Sequence, residues 1–197
     1  MFLINVKLTK PVPIIISFEY KVLNLTSYLK RFNMSANDWS KFTVTADIDT
    51  EDVRSIYLAW TTPEGLESWF LRKANFYTVP KRLREPHEAI NKEDTYEWYW
   101  YGYEDFEKGQ VLETNGTDML KFTFSGGSIV TITIKAIKGI SIVELTQENI
   151  PEESDSSKNL YVLCQVGWTF YLANLKSILE GGVDLRNKRA DVNSSFR

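Results

Sequence analysis

The sequence predicts one α+β domain in which a single long C-terminal helix lies across an antiparallel sheet. Three observations carry this. A half-buried strand pattern is followed at once by two short helices. Residues 71–147 then alternate apolar and polar side chains between Gly-containing turns. Last comes a stretch of about 22 residues with one apolar stripe, roughly 33 Å long at 1.5 Å per residue, enough to cross a small domain. At 197 residues, 43% hydrophobic and 25% charged, the chain can bury a core of ordinary size.

Lys41–Ile48 alternates Phe42, Val44, Ala46 and Ile48 against Lys41, Thr43, Thr45 and Asp47, which predicts a strand. Asp49 to Asp52 offer N-cap oxygens and first-turn acids. Val53, Ile56, Tyr57 and Trp60 follow at i, i+3, i+4, i+7, the stripe of a short helix. Thr62-Pro63 restarts a second helix, threonine as cap and proline at the first helical position, with Leu66, Trp69 and Phe70 as its apolar face. LRKANFYTV (71–79) reads as a strand. The charged, proline-marked stretch 80–94 reads as an exposed loop.

TYEWYWYGY (95–103) alternates, with Tyr96, Trp98 and Trp100 on one face and Glu97, Tyr99 and Tyr101 on the other. Lys108-Gly109 is expected to turn the chain before QVLET. Asn115-Gly116 predicts a type I′ hairpin, because both residues tolerate positive φ. MLKFTF, SIVTITIKAI and ISIVELTQ complete a meander through turns at Gly126-Gly127 and Lys138-Gly139, with Leu120, Phe122, Phe124, Val130, Ile132 and Ile134 inward. The final helix opens in polar Ser154–Lys158, runs from about Asn159 to Glu180 and stops at Gly181-Gly182. Leu160, Cys164, Trp168, Tyr171, Leu172, Leu175, Ile178 and Leu179 share its stripe. Gln165, Thr169, Lys176 and Glu180 face away.

The N-terminal segment differs. Residues 1–33 carry five basic side chains (Lys7, Lys10, Lys21, Lys30, Arg31) against one acid, Glu19, leaving eighteen basic and twenty-five acidic residues for the rest. They are apolar without a clean period. A basic arm or added strand is one reading. A non-native or weakly ordered extension, with the domain starting at Met34, is the other and the preferred one. The expected organisation is an extension over 1–33, a single domain over 34–188 and a flexible tail over 189–197.

Composition excludes several function classes. One cysteine, Cys164, allows no internal disulfide framework, and one histidine, His87, allows no histidine cluster. Net charge −3 argues against a general nucleic-acid binder. No stretch approaches the roughly 20 apolar residues of a membrane span. The start lacks the order of a secretory signal, so the cytoplasm is the expected location. Phosphate loops, dinucleotide fingerprints, HExxH and cysteine pairs are absent from the sequence, so no cofactor or metal is expected.

Among single residues, Cys164 on the buried stripe reads as a packed thiol and His87 as a surface histidine. Lys81, Arg82 and Arg84 read as a small basic patch on an exposed loop. Acid pairs such as Glu104-Asp105 and Glu152-Glu153 read as solvated charge. Gly167, inside the long helix, costs about 1 kcal/mol relative to alanine. It could widen a cavity, but close packing is the plainer explanation. Tyr96, Trp98, Trp100, Phe122, Phe124, Trp168 and Tyr171 converge if the helix crosses the strands. Such rings suit either an apolar pocket or a filled core.

WTTPEGLESWF (60–70), TYEWYWYGY (95–103), VELTQENIP (143–151) and GWTFYLANLKSILEGGVDLRNK (167–188) resemble one branch of the START-like (SRPBCC) superfamily. That branch is related to the activator of the ninety-kilodalton heat-shock-protein ATPase. The similarity spans about Ser35 to Lys188, in order. It implies the helix-grip, birch-pollen-allergen-like fold and a cavity between sheet and long helix, but no reaction. The superfamily binds lipids, sterols, polyketides and other hydrophobic molecules. This implies a non-enzymatic domain holding a small hydrophobic ligand, with the seven rings above as its lining. A co-chaperone-like interaction module, with a chaperone as partner, is the second expectation. A cyclase- or hydratase-like enzyme is the third. The eukaryotic co-chaperones of the branch carry a separate N-terminal domain that residues 1–33 do not match, which weakens the chaperone expectation.

Overall fold

The computed structural model describes residues 38–152 and 159–189. The expectations for residues 1–33, for a start at Met34, for the polar opening 154–158 and for the tail beyond Arg189 lie outside these residues.

Seven strands form one antiparallel sheet in the order β1-β7-β6-β5-β4-β3-β2. They are β1 (Phe42–Ile48), β2 (Lys73–Tyr77), β3 (Thr95–Tyr99), β4 (Phe106–Thr114), β5 (Met119–Phe124), β6 (Ser128–Ile137) and β7 (Ile140–Glu148). The three α-helices among the described residues are α1 (Val53–Thr61), α2 (Pro63–Trp69) and α3 (Leu160–Leu179). This is the helix-grip α+β architecture. The first strand pairs with the last, so α1 and α2 bridge the sheet's two ends and α3 packs beside them.

The helix starts are set by local chemistry. The Asp52 carboxylate accepts from the Ser55 amide at 3.0 Å, capping α1. Thr62 Oγ1 accepts from the Gly65 amide at 3.0 Å, with Pro63 at the first position of α2. Asn159 Oδ1 accepts from the Val162 amide at 3.1 Å and caps α3. The inward side chains anticipated on β5 and β6 are buried, except Phe124, which is half-buried.

Four local expectations need correction. The strand expected over 95–103 ends at Tyr99, because β4 begins opposite it at Phe106. Lys108-Gly109 is not a turn but lies inside β4, with Gly109 paired to Tyr96. A Cβ at Gly109 would stand 2.4 Å from the Tyr96 ring, so the glycine makes room for a ring across the strands. At the β4–β5 hairpin only Gly116 has positive φ. There Asn115 Oδ1 accepts from the amides of Thr117, Asp118 and Met119, an Asx-type loop rather than a two-residue turn. The tight two-residue turn falls at Lys138-Gly139, both with positive φ, between the paired Ile137 and Ile140.

The fourth correction is the loop over 80–94. Arg84 is buried and donates to Asp94, also buried, and to Glu88. Arg82 donates twice to Glu88 and, with the Glu85 amide, holds the Glu88 carboxyl down at about 2. These cations are neutralised in an ion-pair knot rather than displayed as a patch. His87 is on the surface, against Glu64.

An apolar groove beneath the N-terminal half of the long helix

The core is a cluster of rings centred on Phe70. Phe70 follows α2 and is 2% exposed. Its ring centroid lies 5.1 Å from Trp168, 5.2 Å from Trp69, 4.7 Å from Tyr171 and 5.5 Å from both Trp98 and Trp100. Phe124 packs 5.1 Å from Trp168. Such ring pairs add roughly 0.5–1.5 kcal/mol each beyond area burial.

Phe70 is held by the chain beyond α3. The Arg186 guanidinium, itself buried, donates to the carbonyls of Glu67, Ser68 and Leu71 at 2.7–3.0 Å. Two of these are end carbonyls of α2 that the helix cannot satisfy itself. Asp184 holds Arg186 through its side-chain nitrogens, and Asn174 of α3 donates to Trp69 O at 2.5 Å. Burial pushes the Asp184 carboxyl up, but hydrogen bonds from Arg186 and Lys188 outweigh it and hold it well below the usual range. The VDLRN segment is therefore a strap that caps α2 and fixes Phe70.

On the far side of Trp168 runs a buried polar chain. Trp168 Nε1 donates to Gln147 Oε1 at 2.8 Å, Gln147 Nε2 to Ser128 Oγ at 2.8 Å, and Ser128 Oγ to Ser125 O at 2.9 Å. It ties α3 to β7, β6 and the 125–127 turn.

Between these two anchorages an open groove of about 340 Å³ lies against the N-terminal half of α3. Its floor is Phe70, Phe124 and Trp168. Trp100 and Tyr103 from the β3–β4 connection and Ser125 from the turn after β5 also line the groove. The helix contributes Leu160, Leu163, Cys164, Gly167, Trp168 and Tyr171, all at helical spacings of three and four. None of these side chains is ionised in the ordinary pH range. Burial pushes the Cys164 thiol up and the Tyr171 hydroxyl up to about 12.

Of the seven rings expected to line a cavity, Trp100, Phe124, Trp168 and Tyr171 do so. Tyr96, Trp98 and Phe122 do not: they are stacked in the core, with Tyr96 and Trp98 centroids 4.0 Å apart and Trp98 5.2 Å from Phe122. The lining rings sit at strand ends, Phe124 as the last residue of β5 and Trp100 just beyond β3, so the groove opens there rather than over mid-sheet. Reading the sequence missed Phe70, Tyr103, Leu163 and the lining role of Cys164. The usable signal was the absence of any Asp, Glu, Lys or Arg from Leu160 to Leu175.

The comparisons agree with this architecture. The family model described as activator of Hsp90 ATPase homolog 1-like protein matches residues 52–180. The chain belongs to this family. No match was found among curated proteins. Solved structures share the START-like fold at low identity. A Staphylococcus saprophyticus protein is 17% identical, with TM-score 0.58, over 74% of this chain and 96% of its own. The Aha1 dimer of Colwellia psychrerythraea gives 17%, 0.56, 72% and 97%. An HSP90 activator from Plasmodium falciparum gives 18%, 0.52, 71% and 96%. Among the described residues of this family member, no helix is long and apolar enough to cross a membrane.

Proposed function

We propose that this START-like domain binds one small hydrophobic molecule in the groove under α3, without catalysing a reaction. The observation that carries the reading is the groove itself: aromatic floor, apolar walls and a volume at the lower end of ordinary ligand sites. The polar handles lining it are the hydroxyls of Ser125, Tyr103 and Tyr171 and the Cys164 thiol, which suit orientation of a ligand better than general acid–base chemistry near neutral pH.

Native mass spectrometry of the purified chain is the direct test, followed by melting against fatty acids, sterols and aromatic polyketides. A true ligand at a hundredfold excess over its dissociation constant adds about 2.7 kcal/mol of stability. It also changes tryptophan fluorescence, since Trp100 and Trp168 line the site. No co-purified mass and no shift with any of the three classes would sink the reading.

A second reading rests on a different surface. Val162, Val166 and Phe170 are exposed on α3 outside the groove lining. With the family's name, this supports a co-chaperone-like module. Its expected sign is a change in the ATPase rate of the host's Hsp90 that Val166→Asp abolishes; an unchanged rate on adding the wild type removes it. We place the chain in the cytoplasm and its working domain at residues 34–188. A 34–197 fragment should then melt within about 5 °C of the full chain. A larger drop makes the first 33 residues structural.

A further inference from the structure

Every glycine but one has a reason written in the fold. Six of the ten have positive φ: Gly102, Gly116, Gly126, Gly127, Gly139 and Gly181. Three more have no room for a side chain. A Cβ at Gly65 would stand 2.2 Å from Leu58 O, one at Gly109 2.4 Å from the Tyr96 ring, and one at Gly182 2.6 Å from Ser177 Oγ. Gly167 has neither reason. It sits in the interior of α3 with ordinary helical backbone, and a Cβ there would meet nothing within 4 Å. Close packing, the plainer explanation from sequence, is thereby overturned. A glycine at such a place weakens the helix and gains the free protein nothing.

What Gly167 does is leave a notch. On the groove side of α3 its neighbours one turn away, Leu163, Cys164 and Tyr171, all carry side chains, and Gly167 lies in the middle of that row. We propose that Gly167 is the specificity-determining position of the groove, where the ring system of an uncharged ligand lies flat against the α3 backbone. This rests on the reading of the groove as a ligand site. Charge complementarity selects the neutral ligand. No ionised side chain lines the groove, and α3 carries no charge until Lys176, so a buried anion or cation would have no partner there. The open space beside Gly167, in a groove that Trp168 and Tyr171 also line, favours a flat face over a branched chain.

The test uses the full chain, two variants and two dyes that share one ring system. N-phenylnaphthylamine is neutral; anilinonaphthalene sulfonate is the same molecule bearing a sulfonate. The wild type is expected to bind the neutral dye at least tenfold more tightly than the sulfonate. Gly167→Leu, which fills the notch, should weaken neutral-dye binding at least tenfold, and Gly167→Ala by a smaller factor. Both variants should melt at or above the wild-type temperature, because a helix side chain replaces glycine in open space. Loss of binding together with retained or raised stability is the signature of the notch. Undiminished binding in Gly167→Leu overturns the role of Gly167 and leaves the groove reading standing. A fall of several degrees in melting temperature makes the glycine structural and also overturns it. A sulfonate bound as tightly as the neutral dye overturns the uncharged ligand. A wild type that binds neither dye overturns this inference together with the proposed function.

Discussion

The two halves of α3 are built for different purposes. Its C-terminal half is fastened. Leu172, Asn174 and Leu175 are buried, and Asn174 bonds to Trp69 and to the Leu185 amide. Lys176 reaches Asp47 and Glu180, while Glu180 accepts from the Asp49 amide. Its N-terminal half is open. It has no ion pair, carries a glycine that packing does not require, exposes Leu163 and Val166 at more than 60%, and borders the groove. Trp168 holds this half to Gln147, and the Tyr161 ring packs 5.2 Å from Phe42. One helix thus holds the fold together at one end and leaves an open apolar groove at the other. Stability and ligand recognition should therefore separate under mutation.

The largest expected effect comes at the residue serving both halves. Trp168→Ala removes the groove floor and strands the buried Gln147 amide. It should cost about 3–5 kcal/mol in a denaturant titration and eliminate neutral-dye binding. An unchanged midpoint would mean that α3 does not grip the sheet there. Asn174→Ala strikes only the fastened half. It leaves the Leu185 amide without its acceptor and one donor fewer on Trp69 O, a loss of about 1–3 kcal/mol. Dye affinity should stay within twofold. A parallel loss of affinity would erase the distinction between the halves.

A smaller effect is expected with pH. The Asp184 carboxyl is held below its ordinary range in the folded chain, so its contribution is complete above about pH 4, the unfolded value, and fades as acidity rises further. Melting temperatures of wild type and Asp184→Asn should differ from pH 5 to 7 and converge below pH 4. A constant difference would mean that the charge on the strap does not matter.

Local elements were largely legible in the sequence. Period-two runs marked the strands, Thr62-Pro63 and Asp52 marked helix starts, and Gly181 marked the end of α3. What eluded sequence reasoning depended on partners distant in the chain. Gly109 resembles a turn signal until the Tyr96 ring is placed over it. Arg84 resembles a surface cation until Asp94 buries it. Asn174 sits inside an apolar stripe, and only the carbonyl of Trp69 explains it. The site was half legible: the aromatic composition announced a pocket or a core. That Trp100 and Phe124 line a groove while Trp98 and Phe122 fill the interior is a tertiary fact. Gly167 was visible in the sequence, but its meaning depended on the empty space beside it.

Amide hydrogen exchange along α3, with and without saturating N-phenylnaphthylamine, tests the division of the helix most directly. Amides of residues 163–171 are predicted to exchange faster than those of 172–179 in the free protein. The dye should slow the first set and leave the second unchanged. Uniform protection along the helix, or slowing confined to residues 172–179, would contradict the account.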